Sequence, residues 1–307
     1  MHKLRPYPVM VWYCLLASLA VLVSIPAASV AQLPTPASAE SGSFSFTAID
    51  FPGAIRTRAV GLNNHGDIVG DYIDSSGVRH GYLLSQGNFT TFDPSGSIQT
   101  RGLAINNQGV ICGRYFDSNQ VSHGFLFQEG VFTIIDLPGA TATIPQSLNE
   151  RGQVVGAYND SAGNTHGFLL SAGNFSMIDF PGALTGTVAG DINDRGQIIG
   201  NYGDAAGNTH GFLLDGGKFT SIDVPGALDV TAPSGISSNG KIVGFYDDSN
   251  GTLHGFTLIA GNFSTVDFPD SFGTEAFRVN EVGQIVGIYF HAGQHGFLAT
   301  PSLIQKP

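Results

Sequence analysis

The sequence is poor in the residues that make helices, crosslinks and basic surfaces. Only 12% of its 307 residues are charged, about half of ordinary usage, and scarce Lys and Glu argue against long helices or a coiled coil. Two cysteines are too few for a disulfide framework. Thirteen Lys and Arg against 24 Asp and Glu give a formal charge of −11, which excludes a general nucleic-acid binder, since that needs a basic footprint. Beyond the extreme N-terminus no apolar run approaches a membrane span. There is no G-x-S-x-G, H-E-x-x-H, Walker or Rossmann pattern. The glutamates are Glu40, Glu129, Glu150, Glu275 and Glu281, and no pair of carboxylates stands out for glycoside hydrolysis. A single tryptophan, Trp12, counts against sugar stacking.

Hydrophobic residues make up 42% of the chain, enough to argue against disorder. Residues 1–31 read as a secretory signal peptide. His2, Lys3 and Arg5 form a basic start, Val9 to Ile25 is apolar, and Ser29-Val30-Ala31 is a small-x-small cleavage site. An uncleaved anchor is the alternative. Cleavage removes Trp12 and Cys14 and leaves Cys112 alone, where the other repeats carry Val or Ile. Cys112 therefore reads as a small buried hydrophobe. The expected location is extracellular or periplasmic, with no membrane span after cleavage. Residues 32–43, rich in Pro, Ala and Ser, read as a flexible lead-in.

Internal repetition decides the architecture. The aspartates Asp50, Asp93, Asp136, Asp179, Asp223 and Asp267 recur every 43 or 44 residues. The His-Gly histidines His80, His123, His166, His210, His254 and His295 keep the same period, as do Gly70, Gly113, Gly156, Gly200, Gly244 and Gly287. Each repeat holds four short β-type segments, exemplified by Thr57 to Asn63, Gly66 to Tyr72, His166 to Leu170 and Phe132 to Asp136. Asn-x-x-Gly, Asp-x-x-Gly and Gly-Asn turns separate them. The longest link is P-G-A-x-x-T, as in Pro181 to Thr187. This predicts an all-β, six-bladed β-propeller of four-stranded antiparallel blades over residues 44–300, followed by a tail, 301–307. The chain opens with a lone fourth segment, Phe46 to Asp50, and ends after a third, His295 to Ala299. The N-terminal strand is therefore expected to complete the last blade and close the ring.

The H-G-F, I-V-G-x-Y and F-T-x-I-D-x-P-G-A motifs resemble the HAF-type extracellular repeat family, here with His-Gly-Phe or His-Gly-Tyr (Tyr82) in place of His-Ala-Phe. The resemblance spans about residues 44–300. It implies an exported bacterial protein and carries over no catalytic residue. The strand order also resembles kelch-like propellers, without their Gly-Gly and Trp markers.

Five histidines follow an aspartate by six residues, from Asp74/His80 to Asp248/His254. A general base or a metal ligand is one reading. Repetition at one blade position favours architecture, with an Asp–His or His–backbone bond fixing the turn. The Asn positions (Asn63, Asn106, Asn149, Asn193, Asn280) and the tyrosines (Tyr72 to Tyr289) read likewise as turn and interblade residues. Function should lie where the repeats differ, near the start of each first strand. There the chain places Arg56, Arg58, Arg101, Arg278 and Glu275, with Asp191 beside them. Arginine favours carboxylate, phosphate or sulfate through paired N–H donors, and Phe272 offers an apolar wall.

Three readings follow. The first is a secreted, non-catalytic binding module for an anionic ligand, a protein or a glycan at one channel face. The second is a hydrolase or lyase at the channel mouth, with Asp191, Glu275 and His291 as the least implausible catalysts. The third is a structural surface or matrix protein. No catalytic residue, metal ligand or cofactor is assigned.

Overall fold

The computed structural model describes residues 44–302, every regular element of which is a β-strand. The signal peptide and lead-in expected over residues 1–43, and most of the C-terminal tail, lie outside the described residues.

Strand β1 (Phe44–Ile49) comes first. Blade 1 is then β2 (Arg56–Leu62), β3 (Ile68–Ile73), β4 (Arg79–Ser85) and β5 (Asn88–Phe92). Blade 2 is β6 (Gln99–Ile105), β7 (Ile111–Phe116), β8 (Ser122–Gln128) and β9 (Val131–Ile134). Blade 3 is β10 (Ala142–Leu148), β11 (Val154–Asn159), β12 (Thr165–Ser171) and β13 (Asn174–Ile178). Blade 4 is β14 (Thr187–Ile192), β15 (Ile198–Gly203), β16 (Thr209–Asp215) and β17 (Lys218–Ile222). Blade 5 is β18 (Thr231–Ile236), β19 (Ile242–Asp247), β20 (Leu253–Ile259) and β21 (Asn262–Thr265). Blade 6 is β22 (Thr274–Val279), β23 (Ile285–Phe290) and β24 (Gln294–Pro301), with β1 as its outer strand. Every pairing between neighbouring strands of a blade is antiparallel, and β1 runs against β24 from Phe44↔Pro301 to Ile49↔Gly296. The first strand of each blade touches the first strands of both neighbours, so these six line the central channel.

Side-chain size explains the stacking of the blades. The third-strand aromatic is fully buried in all six: Tyr82, Phe125, Phe168, Phe212, Phe256 and Phe297. It fills the space over the invariant second-strand glycine. A Cβ on Gly70 would fall on the Arg58 carbonyl and against the Tyr82 ring, so that strand needs glycine for close approach rather than for an unusual φ. The interblade links are tied down by threonine. Thr57 Oγ1 accepts from Phe51 N at 3.0 Å, and Thr143, Thr187, Thr231 and Thr274 repeat the bond at 2.9–3.1 Å. In blade 2 Pro94 has no N–H, and Ser97 Oγ pairs with Thr100 Oγ1 at 3.2 Å instead. Link aromatics lie flat on second-strand tyrosines, Phe51 on Tyr72 and Phe268 on Tyr289, both at 3.7 Å.

Each channel strand also carries one bulge. Its extra residue is Val60, Leu103, Gln146, Gly190, Ser234 or Phe277. A bulge places the residues on its two sides out of step, so residues before and after it serve different ends of the channel.

Candidate functional site

The channel strands begin at the face that carries the interblade links and end at the face that carries the Asn-x-x-Gly turns. At mid-depth the channel is closed. Val60, Leu103 and Phe277 pack together there with Ile288, against Phe245 and Phe290. Across from them lie Gln146, Gly190 and Ser234, whose carbonyls are all taken by one side chain. Arg278 donates to Ser234 O, to Gln146 O at 2.6 Å and to Gly190 O at 3.1 Å, so one guanidinium from blade 6 joins blades 3, 4 and 5. Asp191 is 3.8 Å from its Nε and accepts from Ser147 Oγ, Ile192 N and Ile236 N. Two of the six sequence-selected residues, Arg278 and Asp191, thus form the channel plug.

The Asn-turn face is held by two concentric belts. Asn63, Asn106, Asn149, Asn193 and Asn280 each donate Nδ2 to the next blade's carbonyl at 3.1–3.4 Å. The same side chains cap their own turns, as Asn63 Oδ1 does for His65 N and Asp67 N. Outside them, backbone N–H groups donate across blades to Asn107, Glu150, Asp194, Glu281 and Asn64. The belts are interrupted only at blade 5, where Ser237 and Ser238 are too short to reach. The pit they enclose holds about 90 Å³ and is lined by groups already bonded to one another.

The six histidines lie toward the link face, and their first partner is not the one expected from the six-residue spacing. His80 Nδ1 donates to Asp93 at 2.7 Å, and the other five repeat this at 2.7–2.8 Å with Asp136, Asp179, Asp223, Asp267 and Asp50. The aspartate six residues earlier stands at 3.3–3.8 Å from Nε2 and spends its oxygens on its own turn, as Asp74 does on Ser76 N and Val78 N. The outer-strand aspartate prevails because it is the direct lateral neighbour in the sheet. In blade 6 that aspartate, Asp50, follows β1, so the closing strand completes the sixth pair. His291 bonds the Asp270 carbonyl at 3.1 Å. No cluster able to hold a metal ion occurs among the described residues.

The link-face end of the channel is different. Just before the bulges, one cross-strand position pairs channel strand with second strand in every blade. The six pairs are Arg58↔Asp71, Arg101↔Arg114, Ile144↔Ala157, Val188↔Asn201, Ala232↔Phe245 and Glu275↔Ile288. Charge is confined to blades 6, 1 and 2. In blade 1 the pair is neutralised: Asp71 is fully buried, lies 3.5 Å from Arg58, and also pairs with Arg79. In blade 2 two arginines stand directly opposite each other. Like charges at such positions destabilise a sheet.

Neither Arg101 nor Arg114 donates a hydrogen bond to any described residue, and the Nε of each is sealed from solvent without a partner. Burial, followed by repulsion from Arg114, lowers Arg101 to about 9, and burial, followed by repulsion from Arg58, lowers Arg114 to about 10, so both remain cationic at neutral pH. Arg114 lies over the Phe116 ring and Arg58 over Phe277, each 5.5 Å from the ring centroid. A guanidinium stacked this way leaves its donor edge free for an anion. Burial pushes Glu275, the acidic member of the blade 6 pair, up to about 7, opposed by Arg58.

Of the sequence-selected residues, the structure therefore brings Arg58, Arg101 and Glu275 to the link-face mouth. It commits Arg278 and Asp191 to the plug and leaves Arg56 exposed at the start of β2. Sequence reasoning missed Arg114, Arg79 and Asp71, which lie on second and third strands. Comparing the repeats at the second residue before Tyr72 and Tyr115 would have found Gly70 and Gly113. The informative position is the next one, Asp71 and Arg114.

No family model matches the chain, and a search of the curated proteins finds no relative. Solved structures do match. TolB from Acinetobacter baumannii superposes with a TM-score of 0.56 at 15% identity, covering 76% of this chain and 64% of that one. The chain therefore spans under two thirds of the TolB length. AofleA from Arthrobotrys oligospora gives 0.52 at 12% identity, over 86% and 94% of the two chains. The β-propeller domain of the Trilobed protease from Pyrococcus furiosus gives 0.52 at 12%, over 83% and 86%. The chain is a six-bladed β-propeller. At these identities the likeness is one of fold. The Pyrococcus domain is described as having an open velcro topology, whereas in this propeller β1 closes blade 6. Among the described residues no helix is long and apolar enough to cross a membrane.

Proposed function

We propose that this propeller is an exported, non-catalytic binding module whose link-face mouth takes an anionic group between Arg101 and Arg114. The observation that carries the reading is the opposed arginine pair in blade 2, with no protein anion on either guanidinium. Arg58 and Arg79 share one carboxylate, Asp71, so the sector as a whole holds a surplus of positive charge in an otherwise acidic molecule. A bound carboxylate, sulfate or phosphate would relieve the repulsion and satisfy donors that are costly to leave unmade. Export is supported by the basic, apolar and small-residue pattern of residues 1–31 and by the resemblance of the repeats to the HAF-type extracellular family.

Calorimetric melting of residues 32–307 with and without phosphate or sulfate tests this directly, since that chain has no Trp to report binding. Ligand at 100 times its dissociation constant adds about 2.7 kcal/mol of stability. The expected result is an upward shift that disappears in the Arg101→Gln, Arg114→Gln double variant. A protein that melts identically with every anion would contradict the assignment.

A further inference from the structure

Seven of the twelve large hydrophobic side chains that stand exposed lie on the link face. Ile55, Ile98, Leu184, Leu228 and Phe272 are all at the same place in their repeats, at the end of the interblade link just before a channel strand. They are 41 to 74% exposed. Val78 and Val121 project from the second-to-third-strand turns of blades 1 and 2 on the same side. Of the remaining five, Val131, Ile134 and Met177 belong to outer strands and Ile259 ends a third strand; Val131, Ile259 and Val282 stand at the Asn-turn end. The link face thus presents an apolar crown around a cationic mouth. Blades 6, 1 and 2, which also carry Arg58, Arg101 and Arg114, contribute five of the seven: Phe272, Ile55, Val78, Ile98 and Val121. A crown of this kind, rimmed by the polar turns, marks a docking surface.

The chemistry of the crown narrows the partner. Its members are mostly branched aliphatic side chains, which suit aliphatic side chains of a polypeptide rather than the faces of sugars. Val60, Leu103 and Phe277 close the channel inward of the arginines, so the mouth admits a group presented end-on. Its charge demands an anion. Turn aspartates such as Asp74 and Asp117 also ring this face, and the whole chain carries −11, which opposes an anionic bilayer. We infer that the link face docks a protein partner through a C-terminal segment, its terminal carboxylate between Arg101 and Arg114 and its preceding apolar residues against Ile55, Ile98 and Phe272. This rests on the anion site proposed above and adds the identity of what carries the anion.

The test is selection from a display library of random octapeptides with free C-termini, run on residues 32–307. The selected peptides are expected to be rich in aliphatic residues near the end. Their affinity should fall at least tenfold when the terminus is amidated, in the Arg101→Gln, Arg114→Gln variant, and in an Ile55→Ser, Phe272→Ser variant. Ile55 and Phe272 are exposed, so that second variant should melt like the parent, and its response to phosphate should be unchanged. If phosphate still stabilises the protein but no peptide is enriched, the docking inference is overturned and the anion site stands. If neither phosphate nor peptide binds, both fall. Enrichment that survives amidation, or sedimentation with anionic lipid vesicles in place of peptide enrichment, would likewise overturn the carboxylate-docking assignment.

Discussion

Arginine occupies three chemically different places in this channel, and burial and partners separate them. Arg278 spends both terminal nitrogens on backbone carbonyls from three blades and leaves only its Nε without a hydrogen bond, 3.8 Å from Asp191. Arg58 and Arg79 share Asp71. Arg101 and Arg114 face each other across the strands with no protein anion bonded to either, Arg114 lying over the Phe116 ring. Arg278→Ala leaves Asp191 buried without its cation and three carbonyls without their donor. It is expected to lower stability by about 3–5 kcal/mol in equilibrium unfolding, whereas Arg101→Gln should leave stability unchanged or raise it by removing repulsion. Glu275 adds a pH term. Its folded pKa of about 7 lies above its ordinary 4.5, so the folded protein binds a proton that the unfolded chain has released. That contribution is full below about 4.5 and is lost as pH rises through about 7, a difference of about 3 kcal/mol. Glu275→Gln should therefore flatten the melting temperature between pH 5 and pH 8, as followed by calorimetry. A pH profile identical to the parent would assign the slope elsewhere. The residues of the mouth were half legible. Arg58, Arg101 and Glu275 stood out as differences next to a recurring threonine. Arg278 looked equivalent to them, because a bulge at Phe277 leaves no mark in a sequence. Arg114 and Asp71 were hidden because only strand register shows which second-strand residue faces Arg101 or Arg58.

At the scale of the turn and the blade, the repeated polar residues are structural joints. Each of the six His-Gly histidines bonds the aspartate that follows the fourth strand, and five also have the turn aspartate within 3.3–3.8 Å. The turn carboxylates are held below their ordinary range by bonds within the turn: Asp74, Asp117, Asp160 and Asp248 are lowered, and Asp204 falls to about 2, led by the Asn208 N–H. A depressed carboxyl contributes stability that is present above 3.8 and is lost as pH falls through its folded value. Melting temperature should therefore decline between pH 4 and pH 2. Asp204→Ala should be less stable than the parent at neutral pH and lose less on acidification, a comparison calorimetry can make. The architectural role of these residues was legible because six-fold repetition argues against a single reactive centre. The identity of the first histidine partner was not, since two aspartates per repeat lie within reach along the chain and only sheet adjacency chooses between them.

For the whole molecule, the phase of the repeats carried the topology. A chain that starts with an outer-strand segment and ends after a third strand can leave two open edges or pair them, and β1 on β24 pairs them along six residues. Asp50, next to β1, also supplies the partner of His295. Deleting residues 44–52 should lower the melting temperature sharply and promote association through the bared edge of β24. An unchanged melting temperature would show that the ring does not depend on its closure. Function was less legible than fold for a physical reason. Packing repeats six times and so announces itself, whereas the mouth depends on a few blades that depart from the pattern.

The anion site consists of two guanidiniums, those of Arg101 and Arg114. We would label the protein with 15N-arginine and follow the Nε–H resonances of residues 32–307 as inorganic phosphate is added. Arg101 and Arg114 should shift together and saturate, while Arg278, whose Nη1 and Nη2 are held by carbonyls of three blades and whose Nε faces Asp191, stays in place. Arg101 and Arg114 resonances that do not move, or that drift without saturation alongside exposed Arg56, would contradict an anion site at the link-face mouth.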